Sequence, residues 1–163
     1  MHYVNSKTIL SKNNGMNLYR GCSHGCRYCH SRSNIYGMDH EFEDIEVKQN
    51  APALLEAALR SKRKKCMIGT GAMSDPYMHC EEKLRLTRKC LEIILKYGFG
   101  AAIQTKSDRI LQDIDLLDEI NYKLQNHPDL ILVKQKISSA EELRNTKIDV
   151  ENKHYEELEK CNG

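Results

Sequence analysis

The chain has 163 residues, of which 29% are charged and 40% hydrophobic, and a formal net charge of +2. That length fits one domain with a real core, and the near-neutral balance gives no bulk electrostatic case for a nucleic-acid binder, although it leaves room for a local basic groove. No apolar run approaches the ~20 residues that cross a bilayer, and residues 1–20 hold no apolar stretch of a secretory signal, so no membrane partner is expected. Seven cysteines without such a signal argue for a reducing cytoplasm, and for metal rather than disulfides.

Residues 1–14 are polar and run into Asn13-Asn14-Gly15, a turn signal. Residues 16–19 alternate in character and read as a strand leading directly into Gly21-Cys22-Ser23-His24-Gly25-Cys26-Arg27-Tyr28-Cys29. Thiols this dense are metal ligands, because thiolates are the soft donors that iron–sulfur clusters and zinc prefer. Three ligands, rather than four, leave one coordination position open to a small molecule. The polar stretch 30–46 shows no assignable pattern. Asn50-Ala51-Pro52 then opens a helix, with Asn50 as N-cap and proline in the first turn. Its apolar face is Leu54, Leu55, Ala58 and Leu59. The basic run at 60–65 reads as a solvated helix end, placed where cations favour the dipole, rather than as a phosphate grip.

Residues 66–69 form a second strand candidate, followed by a loop over 70–77. A helix is expected over 81–97, with Leu84, Thr87, Leu91, Ile94 and Leu95 on one face and Gly98 just past its end. Residues 99–104 are a third strand candidate, ending in Thr105-Lys106-Ser107-Asp108. Another helix is expected over 109–124, on the stripe Ile110, Ile114, Leu117, Ile120 and Leu124. A fourth strand candidate lies at 130–133, and two polar helical pieces at 139–146 and 151–161. Strand and helix alternate, which is the order of an α/β chain of parallel β/α repeats. Such repeats put their active loops at the C-terminal ends of the strands. The cysteine loop, the 69–77 loop and the 105–108 loop should therefore open on one face.

Cys22-x3-Cys26-x2-Cys29, with Tyr28 before the third cysteine and a strand leading in, resembles the signature of the radical S-adenosylmethionine (SAM) enzymes. Within that superfamily, Gly69-Thr70-Gly71, Ser74-Asp75-Pro76-Tyr77 and Gln104-Thr105-Lys106-Ser107 resemble the branch of spore photoproduct lyase and related DNA-repair lyases. The likeness covers residues 15–121. It implies a [4Fe-4S] cluster with Cys22, Cys26 and Cys29 on three irons and SAM chelating the fourth. It implies reductive cleavage of SAM to a 5′-deoxyadenosyl radical, which abstracts hydrogen from a substrate. By the same resemblance Tyr28 lies near the adenine, the backbone of Gly69, Thr70 and Gly71 faces the methionine amino group, and Ser74 and Lys106 meet the polar ends of SAM. A flavodoxin or ferredoxin is the implied electron donor and thymine-dimer DNA a candidate substrate; no catalytic side chain is singled out. The implied fold is part of an incomplete TIM-type barrel. Residues 1–125 would carry the cluster and SAM loops, and 126–163 would be a divergent or truncated segment.

Plainer readings stand beside these. The three thiols could form a zinc site completed by His24, His30 or His40. Cys66 and Cys90 fall on strand and helix as small core residues, Cys80 beside His79 reads as an incidental pair, and Cys161 as a free thiol. Ser74 and Asp75 could serve only to form the turn before Pro76. The rival functions are a non-catalytic zinc or iron–sulfur module, or an inactive fragment of a radical SAM enzyme.

Overall fold

Strand β4 (Met67–Thr70) pairs in parallel with β5 (Gly100–Ile103), Met67 standing opposite Gly100 and Thr70 opposite Ile103. The computed structural model in which this is seen describes residues 1–27 and 29–125. On the other edge of β4 a parallel bridge joins Gly15 to Gly69. There the Met16 N–H donates to the Gly69 carbonyl at 2.6 Å, and the Gly69 N–H to the Asn14 carbonyl at 3.1 Å. The segment feeding the cysteine loop, β4 and β5 therefore lie side by side and run the same way. Three loops leave this row at one end, as the alternation of strand and helix predicts.

A second sheet has the order β1 (His2–Val4), β3 (Glu46–Lys48), β2 (Tyr19–Arg20). β1 and β3 are parallel, with His2 opposite Glu46; β2 runs antiparallel to β3. This sheet corrects the sequence reading in two respects. β1 and β3 lie in stretches without an assignable pattern, because three residues are too short to show a period. The single strand expected over 16–19 is divided: Gly15 and Met16 join the parallel row, while Tyr19 and Arg20 turn away to β3.

Helix α1 (Ala51–Ser61) buries Ala51, Leu55 and Leu59. Asn50 precedes it, but its side chain does not cap the helix. It bonds instead to Ser6, accepting from the Ser6 N–H at 2.9 Å and donating to the Ser6 carbonyl at 2.8 Å, which holds the N-terminal segment down. The basic run after α1 is not all solvated. Lys65 Nζ donates to the Tyr97 carbonyl at 2.5 Å and lies 4.4 Å from the centre of the Phe99 ring.

The helix expected over 81–97 is two helices, α2 (Glu81–Leu84) and α3 (Leu86–Lys96), separated by Arg85 in the left-handed region at φ 48°. The break comes from the Glu81 carboxylate. Its Oε1 accepts from the N–H groups of Leu86 and Thr87, at 3.1 and 3.0 Å, and from the Tyr19 hydroxyl. It thus satisfies donors that every helix N-terminus leaves open, and α3 starts anew there. Burial raises the Glu81 carboxyl above its ordinary range. Arg85 pairs with the fully buried Asp113 at 3.0 Å. At its far end α3 closes as expected: Gly98 has φ 66°, its N–H donates to Leu95, and the Phe99 N–H donates to Ile94, the paired bonds of a Schellman motif.

Residues 108–113 form a 3-10 helix before α4 (Ile114–Gln125). Three residues per turn there, against 3.6 beyond, shift the phase of the expected stripe. Leu116 and Ile120 are buried and Ile114 is 52% exposed. α1 packs on α3, α3 on α4, and α4 on β5. Met16, Leu18, Tyr19, Leu55, Ile68, Leu91, Ile94 and Phe99 fill the space among them. Each such side chain contributes roughly 1.5–3 kcal/mol of transfer free energy. The expected strand at 130–133 and helices at 139–146 and 151–161 lie outside the described residues. None of the described helices is long and apolar enough to cross a membrane.

Glu81 supplies the first prediction. Glu81→Ala strips three donors of their acceptor, two of them at the start of α3 and one a buried hydroxyl. Unfolding in urea should show a loss of about 2–4 kcal/mol. A change below about 0.5 kcal/mol would mean that α3 begins for other reasons.

Candidate metal centre and cofactor cavity

The cysteine loop is fixed at its entry by backbone geometry. Gly21 has φ 87°, and a Cβ there would stand 2.5 Å from the Phe42 carbonyl oxygen. The same oxygen accepts from the Cys22 N–H at 2.9 Å, so the 42–44 backbone presses directly on the loop. Beyond it, the Cys29 N–H donates to the Cys26 carbonyl, and the Cys29 carbonyl accepts from Arg32 across the 3-10 turn His30–Arg32. Cys22 is buried, while Cys26 and Cys29 are half-buried.

Two further loops close on this one. Gly71, just past β4, has φ 100°, and a Cβ on it would lie 1.8 Å from the Gln104 carbonyl oxygen. No side chain fits between the exits of β4 and β5, which are already bonded from the Gln104 N–H to the Thr70 carbonyl at 2.9 Å. The Ser74 hydroxyl donates to the Tyr19 carbonyl at 3.1 Å, and so ties the β4 loop to the strand that feeds the cysteines.

Asp75 is the centre of these contacts. Its Oδ1 accepts from the Tyr77 N–H at 2.8 Å and the Thr105 hydroxyl at 2.7 Å. Its Oδ2 accepts from the Lys106 N–H at 2.8 Å and lies 3.3 Å from Nε2 of His24 in the cysteine loop. One carboxylate, 9% exposed, therefore touches all three loops. Tyr77 in turn donates to Asp113 at 3.2 Å, and burial pushes its hydroxyl up, which keeps it a donor.

These loops enclose a cavity of about 490 Å³ lined by Cys22, Cys26 and Cys29, by His24 and His30, by Gly71, Ser74 and Asp75, and by Gln104, Thr105 and Lys106. The size is that of ordinary small-molecule sites. Of the residues singled out in the sequence, the fold brings together the three cysteines, Gly71, Ser74 and Lys106. Gly69 and Thr70 line an adjoining cavity of about 410 Å³, which shares Ala72 and Gln104 with the first. Tyr28 lies outside the described residues. His40, a zinc-ligand candidate, does not line either cavity. Sequence reasoning missed the bridging role of Asp75 and the cavity positions of Gln104 and Thr105. Their motifs were visible, but a hydrogen bond across 30 residues has no local signal.

The remaining described cysteines are unlike the three in the loop. Burial, then the nearby Glu81, pushes the Cys80 thiol up to about 11, and burial pushes Cys90 up to about 12. Cys66 is also raised by burial. Thiols held protonated are poor ligands, and these three pack against the core. The donor set suited to a soft metal is thus the loop set, in a cavity with room beside it.

Two substitutions test this construction. Gly71→Ala places a methyl inside the Gln104 carbonyl and should lower stability by more than about 3 kcal/mol or leave the chain insoluble. Asp75→Ala should cost roughly 2–4 kcal/mol in chemical unfolding, with Asp75→Asn intermediate. Equal stabilities for Asp75→Ala and the unaltered chain would remove Asp75 from its central place.

The family model for the radical SAM superfamily matches residues 16–155. An uncharacterized protein of Mycobacterium bovis is 32% identical over 112 residues, which are 64% of this chain and 32% of that protein. Uncharacterized proteins of two Mycobacterium tuberculosis strains match to the same extent. The chain spans about a third of the length of these curated relatives. No solved structure matches it. The chain belongs to the radical SAM superfamily, whose members bind a [4Fe-4S] cluster and SAM and whose cysteine motif Cys22, Cys26 and Cys29 fit.

Proposed function

We propose that this chain is the cofactor-holding portion of a radical SAM enzyme, with Cys22, Cys26 and Cys29 as the three protein ligands of the cluster. One observation carries the reading: all three thiols line the same cavity as Gly71, Ser74 and Lys106. When bound, the cluster and SAM together supply a 5′-deoxyadenosyl radical able to abstract hydrogen from an unactivated carbon. The chain's own residues bind and orient. The three thiols lose their protons on ligation. Gly71 leaves main-chain groups uncovered for a ligand. Lys106, exposed at the cavity edge, offers a compact cation for a carboxylate. Asp75 accepts from the Lys106 N–H and lies beside His24 Nε2, so that the three loops meet at this carboxylate.

The finer assignments rest on the resemblance. Ser74-Asp75-Pro76-Tyr77 and Gln104-Thr105-Lys106-Ser107 support a lyase of the spore photoproduct lyase kind, within a partial TIM-type barrel. DNA is then a candidate substrate and a flavodoxin or ferredoxin the electron donor. The cysteine-rich composition supports a reducing cytoplasm as its location. In this reading residues 1–125 are the cofactor core and 126–163 a divergent segment.

A second reading, zinc held by the three thiols and a histidine, is favoured by the presence of His24 and His30 in the same cavity. Anaerobic reconstitution separates the two. The first expects a brown protein with about four irons and four sulfides, an EPR spectrum that changes when SAM is added to the reduced form, and release of 5′-deoxyadenosine. Alanine at Cys22, Cys26 or Cys29 should abolish iron retention and nucleoside release. A colourless protein whose zinc has sulfur neighbours at about 2.3 Å would select the second reading. A cluster whose spectrum ignores SAM would leave a redox module.

A further inference from the structure

A second group of metal-ligating side chains lies away from the cysteine loop, where β1 meets β3. His2 stands opposite Glu46 in the parallel register, and His40 comes from the loop before β3. One ligating atom from each of His2, His40 and Glu46 lies within 4.8 Å of those of the other two. His40 and Glu46 are only 15% exposed, with Nε2 and Oε2 at 3.8 Å.

The hydrogen bonds around the two rings decide how they present themselves. His2 Nδ1 lies 3.0 Å from Asp44 Oδ2, and His40 Nδ1 lies 2.9 Å from the Glu41 carbonyl oxygen. Both partners can only accept, so Nδ1 carries the proton in each ring and the lone pair of the neutral imidazole sits on Nε2. His40 Nε2 is buried and has no hydrogen-bond partner among the described residues. A buried lone pair without a donor is costly. An imidazole whose Nδ1–H is fixed by a carboxylate or a backbone carbonyl while Nε2 stays free is how proteins prepare histidine for a metal.

We infer that His2, His40 and Glu46 form a second metal site for a divalent ion of the zinc type, ligated by two imidazoles and one carboxylate. Asp44 and the Glu41 carbonyl orient the rings. Nitrogen and carboxylate donors without thiolate suit zinc and its first-row neighbours rather than an iron–sulfur cluster. Donors about 2.1 Å from a tetrahedral ion lie roughly 3.4 Å apart, so binding draws the three together by at most about 1.4 Å. The ion would fasten β1 and the 40–44 loop to β3. The site is independent of the assignment made for the cysteine loop.

The test uses the whole chain after anaerobic reconstitution, desalted and titrated with zinc chloride. One zinc per chain is expected beyond the iron. Its X-ray absorption at the zinc edge, where iron does not interfere, should show nitrogen and oxygen neighbours at about 2.0–2.1 Å and no sulfur near 2.3 Å. Zinc should also raise the melting temperature of the unaltered chain. His40→Gln and Glu46→Gln should each weaken zinc binding at least tenfold while iron content and metal-free melting temperature stay unchanged. A zinc shell without nitrogen and oxygen neighbours, no zinc above background, or equal affinity in His40→Gln would overturn the site. Should His40→Gln fail to fold, the absorption spectrum of the unaltered chain decides alone.

Discussion

The structure around the cavity depends on one buried carboxylate. Asp75 satisfies donors from the 74–77 loop and the 105–106 loop and lies against His24 from the cysteine loop. A carboxylate taken out of water is tolerable only when several donors replace its hydration. That demand works in both directions. The 74–77 and 105–106 loops are held by Asp75, and Asp75 needs their donors to stay buried. The three loops come from separate β/α units and share no continuous secondary structure. Their mutual placement is therefore as cooperative as the hydrogen bonds at this residue make it.

Deeper in the fold, Glu81 has the corresponding role. Tyr19, two residues ahead of Gly21, reaches it through its hydroxyl, and the same oxygen starts α3. The strand that delivers the cysteines is thus joined to a helix packed behind the sheet. Ser74 adds a bond to the Tyr19 carbonyl. Tyr19, close before the cysteine loop, is consequently held at its side chain by Glu81 and at its main chain by Ser74. A metal-binding loop built on a swinging strand would place its thiols differently in each conformer; this arrangement gives them one origin.

What could be read in the sequence was what local chemistry encodes. The cysteine spacing, the strand–helix order, the Gly98 helix end and the apolar faces of α1 and α3 all express themselves within a few residues. The family match through residue 155 extends past the 15–121 stretch that carries the resemblance. What escaped depends on partners far along the chain. Arg85 looks like an ordinary helical residue until Glu81, buried against Tyr19, offers its carboxylate to Leu86 and Thr87. β1 and β3 have three residues each and become strands only by pairing, β1 with β3 and β3 with β2 as well. Asn50 has the right identity for a cap, yet Ser6 claims its side chain.

His40 shows how the fold sorts ligands that the sequence leaves unsorted. By number it is as near to Cys29 as many histidines that complete zinc sites. The chain after Cys29 first makes two short 3-10 turns, His30–Arg32 and Asn34–Tyr36, and Arg20 then grips the carbonyls of Tyr36 and Gly37 at 2.7 and 2.9 Å. That grip turns the following loop toward β3, so His40 arrives beside His2 and Glu46 rather than beside the thiols. The three thiolates remain in one place, with His24, His30 and Asp75 beside them, and two imidazoles with a carboxylate but no thiolate gather in another. Because the two donor sets differ in softness, a borderline ion such as zinc and an iron–sulfur cluster need not compete for the same atoms. A backbone path that keeps thiolate out of the second set, rather than selectivity within either set, is what lets one short chain offer both.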